Sequence, residues 1–398
     1  MKICMVLDST FPPDDRVEKE ALSLIAKGYE VYLLCHTHTH QPGEELYKGI
    51  RIIRFNLKLW FKKKLIPLYL LLPAYRLFWK RRIFHLIKKE RINILHFHDL
   101  PLSDIGVKAK KRFNIKLVCD QHEYYSNWIR KAAHYNTFIG KIVSYYSNWE
   151  RYEQRYLNQA DLVITVSEPL RQIYLKNTGL DERKVIVVPN TPSGNLFNLN
   201  GKNFEKPSQY RNHFVLFYAG TIDILRGLDF IIDALPRLTE SIPNIKFIFA
   251  GKIFKSFDPI EYAKKIGVSP YCEYLGWLAL EQLPRYISVS DICLFTPPAN
   301  REEINSTIAT KIYQYLAMKK PIIVSEAKMM KEFVEKNRIG YAVNYGNIED
   351  LVHTILDIRD HYSTIKREIA KNSERLIESG KIYWENTVKD MIDRYAKL

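Results

Sequence analysis

Two short segments in the second half of the chain carry residues suited to binding a diphosphate. In the first, the strand-like run His213–Ala219 is followed by Gly220 and Thr221, and then by Arg226 and Gly227 at the start of a helical pattern. A glycine after a strand lets the backbone approach a ligand, and an arginine at a helix N-terminus adds a fixed cation to the positive end of the helix dipole. The sequence therefore predicts a diphosphate site, although a tight turn followed by a solvated arginine would leave the same pattern.

The second segment is a helix predicted over Thr307–Met318. Ser306 or Thr307 is expected to cap this helix, Lys311 would lie one turn inside it, and Gln314 would follow on the same polar face. The exposed N–H groups at such a helix start, together with an ammonium group, suit anionic oxygens. The alternative is an ordinary amphipathic helix with Lys311 and Gln314 in solvent.

The elements that must position these residues are short apolar runs alternating with helical patterns, which is typical of parallel sheets covered by helices on both faces. The strands that we expect are Lys2–Leu7, Glu30–Cys35, Gly49–Phe55, Ile92–Phe97, Ile115–Cys119, Asp161–Val166, His213–Ala219, Asn244–Ala250, Asp291–Phe295 and Pro321–Val324. The helices that we expect are Asp15–Lys27, Pro101–Phe113, Gly227–Thr239, Glu281–Val289, Thr307–Met318 and Ile348–Arg359. The predicted class is α/β and doubly wound.

The length of 398 residues exceeds what one hydrophobic core usually organises, so two domains are expected. The stretch between Thr191 and Asn212 is polar and irregular, as linkers are. We place an N-terminal domain at 1–195 and a second at 210–380, with the carboxyl ends of both sheets facing a central cleft. A final helix over 381–398 would pack back across both domains. The five cysteines show no C-x-x-C spacing and are typical of reduced thiols in a cytosolic protein.

The positive charge is concentrated in one region. Residues 51–150 hold 21 lysines and arginines against six acidic residues, which accounts for +15 of the chain's net charge of +16. A protein coated evenly with charge to condense nucleic acid would not show this distribution, and no helix-turn-helix, zinc-finger or RNA-binding signature accompanies it. The charge favours a single basic face presented to an anionic surface, and no nucleic-acid partner is expected.

A segment rich in tryptophans and cations lies within that region. Its candidate membrane-contact residues are Trp60, Lys62, Lys63, Lys64, Trp79, Arg81 and Arg82. Rings at the headgroup level beside cations facing anionic lipid are what an interfacial anchor needs. We expect a cytoplasmic protein with peripheral contact to the inner face of the cell membrane. The alternative is that the rings belong to the domain core with solvated charges between them.

Motifs along essentially the whole chain resemble signatures of the family-4 glycosyltransferases, of the group 1 type. These motifs are Pro13–Ala21, His96–Asp99, Asp120–Glu123, Ala160–Ser167, Val188–Asn190, Gly220–Gly227, Gly276–Trp277, Lys311–Pro321 and Trp384–Glu385. The resemblance implies a GT-B fold of two Rossmann-like domains. It also implies a retaining transfer of a sugar from a nucleotide donor, such as a UDP-sugar, bound mainly by the C-terminal domain to an acceptor bound by the N-terminal one.

The resemblance also implies roles for individual residues. Arg226 and Lys311 would hold the diphosphate and stabilise it as it leaves, in a site without metal. The other donor-binding residues would be Gly220, Thr221, Gly227, Ser306, Thr307 and Gln314, and the acceptor-side residues would be Arg16, Asp120 and Glu123. His122 lies where the family has a strand-end histidine near the transferred sugar, but a structural histidine bonded to a neighbouring loop would account for it equally well.

Three positions depart from the family pattern. The paired glutamates of the family, eight positions apart, would fall at Ser306 and Gln314, so both carboxylates are missing. A glutamine can still bond a ribose hydroxyl, whereas the shorter Ser306 puts the identity of the donor sugar and even turnover in question. Lys319 replaces a glycine, which removes a permissive backbone position.

The expected function is therefore a metal-independent, retaining hexosyl or glycosyl transferase of surface polysaccharide synthesis. Its acceptor would be a saccharide or a lipid-linked glycan. A catalytically silent binding protein of the same fold and a nucleotide-sugar epimerase are the alternatives. No cofactor or metal is expected, because His96 and His98 share one face of a strand through alternation alone.

Overall fold

The computed structural model describes residues 1–60, 62, 73–131, 146–198 and 204–398 of the chain. These residues form two compact units. The first holds Met1–Pro189 together with Val388–Leu398, and the second holds Asn190–Thr387. The predicted class, α/β with two doubly wound sheets, is confirmed.

The boundary between the units lies at Pro189, earlier than the predicted boundary between 195 and 210. The linker-like residues after it belong to the second unit because they bond to a distant part of the same unit. Thr191 Oγ1 lies 2.7 Å from Thr387 Oγ1, and the amide of Trp384 donates to the carbonyl of Pro192 at 2.9 Å. The polar stretch that resembled a linker is therefore a segment that is hydrogen-bonded within the second unit.

The first unit is built around an eight-stranded sheet in the order β3-β4-β2-β1-β5-β6-β7-β8. Its strands are β1 (Lys2–Val6), β2 (Glu30–Thr37), β3 (Glu44–Tyr47), β4 (Ile50–Asn56), β5 (Ile94–His98), β6 (Lys116–Gln121), β7 (Leu162–Thr165) and β8 (Val185–Val187). All neighbours are parallel except the edge strand β3, which runs antiparallel to β4. Since β1 has strands on both sides and helices over both faces, its Ile3, Cys4 and Met5 are fully buried.

Helices connect these strands and cover the sheet. They are α1 (Asp15–Ile25), α2 (Ala74–Glu90), α3 (Ser103–Phe113), α4 (Tyr125–Lys131), α5 (Tyr146–Leu157) and α6 (Glu168–Thr178). Asp14 caps α1 by accepting from the amide of Val17, and Ser167 caps α6 by accepting from the amide of Leu170. Gly106 brings α3 close to the sheet, because a Cβ there would lie only 2.7 Å from Leu117 and 2.8 Å from Phe97.

The second unit is built around a six-stranded parallel sheet in the order β11-β10-β9-β12-β13-β14. Its strands are β9 (Phe214–Ala219), β10 (Ile245–Ala250), β11 (Cys272–Tyr274), β12 (Ile292–Phe295), β13 (Ile322–Ser325) and β14 (Gly340–Val343). Its helices are α7 (Gly194–Phe197), α8 (Leu228–Ser241), α9 (Pro259–Lys265), α10 (Leu283–Val289), α11 (Glu302–Asn305), α12 (Thr310–Ala317), α13 (Lys328–Lys336), α14 (Ile348–Asp360), α15 (Tyr362–Glu378) and α16 (Trp384–Thr387).

The end of the chain differs from the single helix predicted over 381–398. Two short helices form instead, α16 in the second unit and α17 (Lys389–Tyr395) in the first. Met391 and Tyr395 of α17 are fully buried, so this helix is part of the core of the first unit. Among the described residues, none of the helices is long and apolar enough to cross a membrane.

Candidate active site

The second unit contains a cavity of about 300 Å³ at the carboxyl ends of its central strands. Gly220 and Thr221 line it just after β9, Gly251 and Lys252 line it just after β10, and the start of α12 closes another side. Carboxyl ends of parallel strands are where open α/β sheets bind ligands. The cavity therefore lies where the sequence predicts a diphosphate site.

The position of the Lys311 side chain in this cavity leaves no room for a side chain at Gly220. Its φ of +146° lies in a region that side chains rarely adopt, and a Cβ there would lie 2.4 Å from Lys311 Nζ. The turn after β9 therefore leaves just enough room for the ammonium group to lie against the backbone.

Lys311 is held by aromatic rings rather than by a carboxylate. Its Nζ lies 4.1 Å from the ring centre of Tyr218 and 4.2 Å from that of Phe295. It forms no salt bridge with any residue that the structure describes. Burial and the positive charge of Arg226 lower the pKa of Lys311 well below the ordinary lysine value, and Asp223 opposes them only in part. An anion that approaches such a desolvated ammonium group stabilises its charged form.

Arg226 belongs to the same electrostatic environment but does not line the cavity. It ends a 3₁₀ turn, Ile224–Arg226, immediately before Gly227 and α8. Its Nε is 3.7 Å from Asp223 Oδ2, and this buried Nε has no hydrogen-bond partner among the described residues. The charge of Arg226 acts on both Lys311 and Tyr218.

Gly227 allows the chain to turn from Arg226 into α8. Its φ is +77°, and a Cβ there would lie 1.8 Å from the carbonyl oxygen of Thr296. Only glycine fits this position, so it fixes the direction in which the helix leaves.

The predicted caps of the lysine helix are wrong. Helix α12 begins at Thr310 with Ala309 at its N-cap, and no side chain in the described part of the chain caps it. The residues expected to do so belong to the short helix α11: Ser306 ends this helix and is buried, while Thr307 Oγ1 donates to the carbonyl of Glu303 at 3.0 Å. Neither lines the cavity, whereas Thr310 and Gln314 do.

The cavity also contains residues that the sequence analysis did not assign to the donor site. Lys252 adds a second cation, and Trp277, which is 62% exposed, lies on its wall beside Leu278. Gly251, which follows an apolar run, and the motif Gly276–Trp277 were the available signals. No acidic side chain is among the described residues that line this cavity.

The first unit contains a buried arginine with two carboxylate partners. Arg16 of α1 donates through Nε and Nη2 to the two carboxylate oxygens of Asp120 in β6, at 2.9 and 2.8 Å. Its Nη2 is also 3.0 Å from Glu20 Oε1, and its Nη1 donates to the carbonyl of Val188. Burial would raise the pKa of Asp120, but the charges of Arg16 and His122 hold it well below its usual range.

His122 is oriented by this carboxylate. Its Nε2 lies 2.6 Å from Asp120 Oδ2, and its Nδ1 lies 3.5 Å from Asp99 Oδ1. Burial lowers the pKa of His122, but Asp120 and Asp99 outweigh burial and raise it to about 10. The imidazole is therefore protonated at neutral pH. The structure thus brings together Arg16, Asp120 and His122, which the sequence analysis had placed in two different roles.

Glu123, the third predicted acceptor-side residue, lies next to this group. Its carbonyl accepts from the hydroxyl of Tyr174 at 2.9 Å, and its carboxylate is among the charges that act on Tyr125. Its side chain is half-buried.

A polar cluster behind His122 has the composition of a metal site. Ligand atoms of Glu20, His96, His98 and Asp120 lie within 4.8 Å of one another, and all four residues are buried. The guanidinium of Arg16 already meets both carboxylates, so the positive charge that a metal would supply is present. Burial and Asp120 raise the pKa of Glu20 well above its usual range, although the charges of Arg16 and His122 oppose them, and the raised pKa favours a neutral carboxyl. With the guanidinium of Arg16 in the place of a cation, the cluster fits a buried ion-paired core better than a metal centre.

The basic aromatic segment is only partly a surface. Trp79 is fully buried against Phe55, with ring centres 4.8 Å apart, so its predicted membrane contact is wrong. It lies on a face of α2 that packs into the core together with Tyr75, Ile83 and Leu86. The spacing of aromatic and apolar residues that predicted a helix at the membrane interface belongs instead to the buried face of α2.

The predicted membrane-contact cations have different environments. Lys62 Nζ lies 3.1 Å from Asp8 Oδ1 and 2.9 Å from His36 Nε2, so its charge is paired inside the unit. The guanidinium of Arg82 lies 3.6 Å from the ring centre of Phe78. Arg81 is exposed, as is Trp60 at 57%. Lys63 and Lys64 lie outside the described residues.

Comparisons with known proteins agree with these two units. Residues 17–191 match the family model described as "Glycosyltransferase Family 4", and residues 213–361 match the one described as "Glycosyl transferases group 1". The chain is 20% identical to "Spore coat protein SA" of Bacillus subtilis over 338 residues, which covers 79% of this chain and 87% of that protein.

A yeast enzyme and a bacterial structure are also similar. The "Phosphatidylinositol N-acetylglucosaminyltransferase gpi3 subunit" of Schizosaccharomyces pombe is 22% identical over 70% of this chain, which spans 57% of that protein's length. The crystal structure of Anabaena Alr3699/HepE in complex with UDP and glucose covers the whole of both chains with a TM-score of 0.72 at 15% identity. At that identity the structural match concerns the fold alone.

Proposed function

Since the chain belongs to the group 1 glycosyltransferases and has their GT-B type of fold, we propose that it transfers a sugar from a nucleoside diphosphate donor, with UDP as the nucleotide, to a saccharide hydroxyl. The second unit binds the donor and the first unit binds the acceptor. The anomeric configuration of the sugar is retained, and no metal takes part.

The observation that carries this proposal is the state of Lys311. Its ammonium group is desolvated between two rings, faces a cavity and has no carboxylate partner among the described residues. A preorganised cation of this kind stabilises negative charge that develops on a leaving group. The diphosphate of a nucleotide sugar develops such charge when its bond to the sugar breaks. Lys311, with Arg226 beside it, therefore acts as the electrophilic partner of the leaving diphosphate.

The walls of the cavity support the other parts of the donor site. Gly220 and Thr221 offer close approach of backbone to phosphate oxygens, and the amide of Gln314 can accept from and donate to a ribose hydroxyl. Ser306 is not among the described residues that line the cavity, and its contact with the donor sugar stays a prediction.

The proposed retention calls on no protein nucleophile from this cavity, whose described lining holds no acidic side chain. A double displacement needs a pair of carboxylates about 5 Å apart, one of which attacks the sugar. We infer that the acceptor hydroxyl instead attacks from the face that the diphosphate leaves, and that a phosphate oxygen takes the hydroxyl proton. The bond from the anomeric carbon to the phosphate breaks as the bond to the acceptor forms.

A lipid-linked acceptor at the inner face of the cell membrane follows from the remaining exposed part of the basic segment. Lys58, Leu59 and Trp60 are exposed in sequence, and Leu77 and Arg81 are exposed on the outer face of α2. Apolar side chains next to cations suit the interface of an anionic bilayer. Membrane contact through these residues would bring the first unit to acceptors of surface polysaccharide synthesis.

The test of membrane contact compares two exposed tryptophans. Trp60→Ser should reduce co-sedimentation with phosphatidylglycerol vesicles, whereas Trp277→Ser, in the second unit, should leave it unchanged. Binding that is equal to phosphatidylcholine and phosphatidylglycerol vesicles, or unchanged by Trp60→Ser, would contradict this part of the proposal.

The test of the donor site is ligand-observed NMR with UDP-, GDP- and ADP-hexoses, followed by assay of sugar release. We expect a UDP-hexose to bind the wild-type protein, and Arg226→Ala combined with Lys311→Ala to abolish binding. Unchanged binding by the double variant would refute the site. Binding without sugar release would identify a silent binding protein, and conversion of the donor into its epimer would identify an epimerase.

A further inference from the structure

A buried carboxyl group without a counter-charge lies in the first unit, behind the segment that carries His122 and Glu123. Glu153 of α5 is 1% exposed. Its Oε2 accepts from Ser126 Oγ at 2.7 Å, whereas its Oε1 forms no hydrogen bond with any described residue. No described lysine, arginine or histidine forms a salt bridge with it. An ionised carboxylate with so few partners is costly to bury, so this environment favours the neutral acid.

The polar groups around Glu153 connect it to the segment that leaves β6. Ser126 lies in the first turn of α4 and is fully buried. The Tyr174 hydroxyl of α6 donates to the carbonyl of Glu123 at 2.9 Å and lies 3.3 Å from Gln121 Oε1. The same hydroxyl is close enough to Glu153 to act on its pKa. Glu153 and Tyr174 therefore hold this segment from two helices.

The protonation state of Glu153 determines where the single proton of the Tyr174 hydroxyl goes. A neutral carboxyl group carries a proton of its own, so it can donate to the Tyr174 oxygen, and the Tyr174 proton remains on the carbonyl of Glu123. An ionised carboxylate only accepts, and it competes with that carbonyl for the same proton through a stronger, charge-assisted bond. The neutral acid therefore keeps the segment bonded, whereas the carboxylate draws Tyr174 away from it.

We propose that Glu153 is a positioning residue, which as a neutral carboxyl group fixes the segment from His122 to Ser126 and on ionisation releases it. Glu153 is too deeply buried to touch a substrate, and it acts through Ser126 and Tyr174 on the backbone that carries His122 and Glu123. The inference rests on the proposed function, because it assigns this backbone to the acceptor side of the reaction. Sugar transfer therefore slows when the carboxyl group loses its proton.

The charges around Glu153 place its ionisation near neutral pH. Burial raises the pKa of Glu153 to about 7, and the hydrogen bonds from Ser126 and Tyr174 oppose this increase only in part. The charge of Glu150 on the same helix raises the pKa further. The other titratable or charged groups where α5 meets its neighbours are Tyr125 of α4, Tyr174 of α6, on which Asp99 acts in turn, and Asp104 of α3, which pairs with Lys108 and Arg76.

The first test compares the wild type with Glu153→Gln, which keeps the shape of the side chain and cannot ionise. Because the native pKa of about 7 lies above the ordinary value of 4.5, the folded wild type binds up to one more proton than the unfolded chain between these values. Its free energy of unfolding, measured by urea denaturation, should therefore fall relative to that of the variant as pH rises from 4.5 to about 7, and stay parallel above this range. Parallel curves over the whole range would overturn the proposal.

Glu182→Gln is the matched control for this comparison. Glu182 is an exposed glutamate of the same unit, paired with Arg171. Its variant should run parallel to the wild type at every pH, because no buried carboxyl group is removed.

Ser126→Ala gives a second test, which does not depend on the folding of the glutamine variant. The Ser126 hydroxyl donates to Glu153 and lowers its pKa, so its removal should raise that pKa and move the fall in stability to higher pH. A fall that stays at the wild-type pH would contradict the contact on which the proposal depends.

Sugar transfer should depend on pH differently in the wild type and in Glu153→Gln. With a pKa of about 7, about a tenth of the wild-type protein keeps the neutral carboxyl group at pH 8, so its rate relative to that of the variant should be about tenfold lower at pH 8 than at pH 6. This ratio cancels the ionisation of Lys311, which both proteins share. The UDP affinity of the second unit should be the same in both. A ratio that is equal at pH 6 and pH 8 would overturn the proposal.

Hydrogen exchange of the backbone amides over 122–126 gives a readout that needs no substrate. At pH 8 exchange should be faster in the wild type than in Glu153→Gln, and at pH 6 the two should be equal, because only the ionised carboxyl group releases the segment. Equal exchange at pH 8 would overturn the proposal. Failure of the wild type to bind any nucleotide would refute the proposed function instead, and the exchange comparison would still decide this inference.

Discussion

Each unit contains a buried or half-buried cation at the carboxyl edge of its sheet, and the two cations are stabilised in opposite ways. Arg16 in the first unit is paired with the Asp120 carboxylate at 2.8 Å and also lies 3.0 Å from Glu20, so its charge is matched. Lys311 in the second unit lies against the rings of Tyr218 and Phe295, and its charge is unmatched by any described carboxylate.

This difference indicates that Arg16 stabilises the fold, whereas Lys311 is available to bind an anionic ligand. Breaking a buried ion pair leaves charges without partners, so the free energy of unfolding depends on Arg16. A desolvated lysine without a partner lowers the stability of the protein without ligand, because its charge has lost contact with water. A bound anion compensates for this cost. Each of the following four variants or measurements tests one side of this contrast.

The largest effect is expected from Arg16→Met. This change removes the cation and leaves Asp120 and Glu20 buried together, which should lower the free energy of unfolding by about 3–5 kcal/mol. Urea denaturation measures it. Arg183→Met is the control, because its pair with Asp181 is exposed and its loss should leave stability near the wild-type value. Equal stability of the two variants would show that the buried ion pair is not structural.

Lys311→Met should affect chemistry rather than folding. A methionine fits between the two rings without a charge, so the melting temperature should not fall. Sugar transfer or donor hydrolysis should slow by about 10²–10³-fold, the usual loss when one preorganised donor is removed from a developing anion. Lys264→Met, at an exposed position, is the control. If the Lys311→Met variant unfolds more easily but still turns over the donor at the normal rate, Lys311 serves stability rather than chemistry.

Gly220→Ala should weaken UDP binding by about tenfold, since the added methyl group displaces the ammonium at 2.4 Å. Gly267→Ala is a matched control: its φ is +81°, but no described atom lies within 4 Å of its Cβ position. Both variants should lose some stability from backbone strain, and only the first should lose affinity. Similar affinities in calorimetry would mean that Lys311 does not need this space.

The smallest effect is a pH dependence. The pKa of Lys311 is lowered before any ligand binds, and a bound diphosphate must raise it again, so binding takes up a fraction of a proton between the lowered value and the ordinary 10.5. UDP affinity should therefore fall as pH rises through this range, above pH 7 where the diphosphate is already ionised. Calorimetry in buffers of different ionisation enthalpy measures the proton, and Lys311→Met should abolish its uptake.

Much of the fold was predictable because continuous apolar runs mark buried parallel strands. The predicted strands at β1, β2, β5, β6, β9 and β10 agree with the structure within two residues at both ends. The strands β8 and β11 were missed because each has only three residues, β14 because three of its four residues are half-exposed, and the edge strand β3 because it begins with two glutamates. Periodicity needs more residues than these strands contain.

The candidate site was predictable only where its residues belong to local sequence patterns. The local patterns around Gly220, Arg226 and Lys311 predicted a donor site, and the lining of the cavity includes Gly220 and Lys311. The contact between Arg16 and Asp120 joins residues 104 positions apart, which no local pattern reveals. The position of Trp79 also depended on tertiary packing, since the spacing of a core face and that of a membrane face are the same.

The contribution of α17 to the first unit has a consequence for synthesis on the ribosome. The residues of the second unit are continuous from 190 to 387, whereas the first unit needs Val388–Leu398, with the Tyr395 hydroxyl 2.6 Å from His96 Nδ1. The core of the first unit, most of which is translated first, is therefore complete only after α17 has been synthesised. During that interval the nascent chain carries a finished second half and an unfinished first half, exposed to chaperones and proteases.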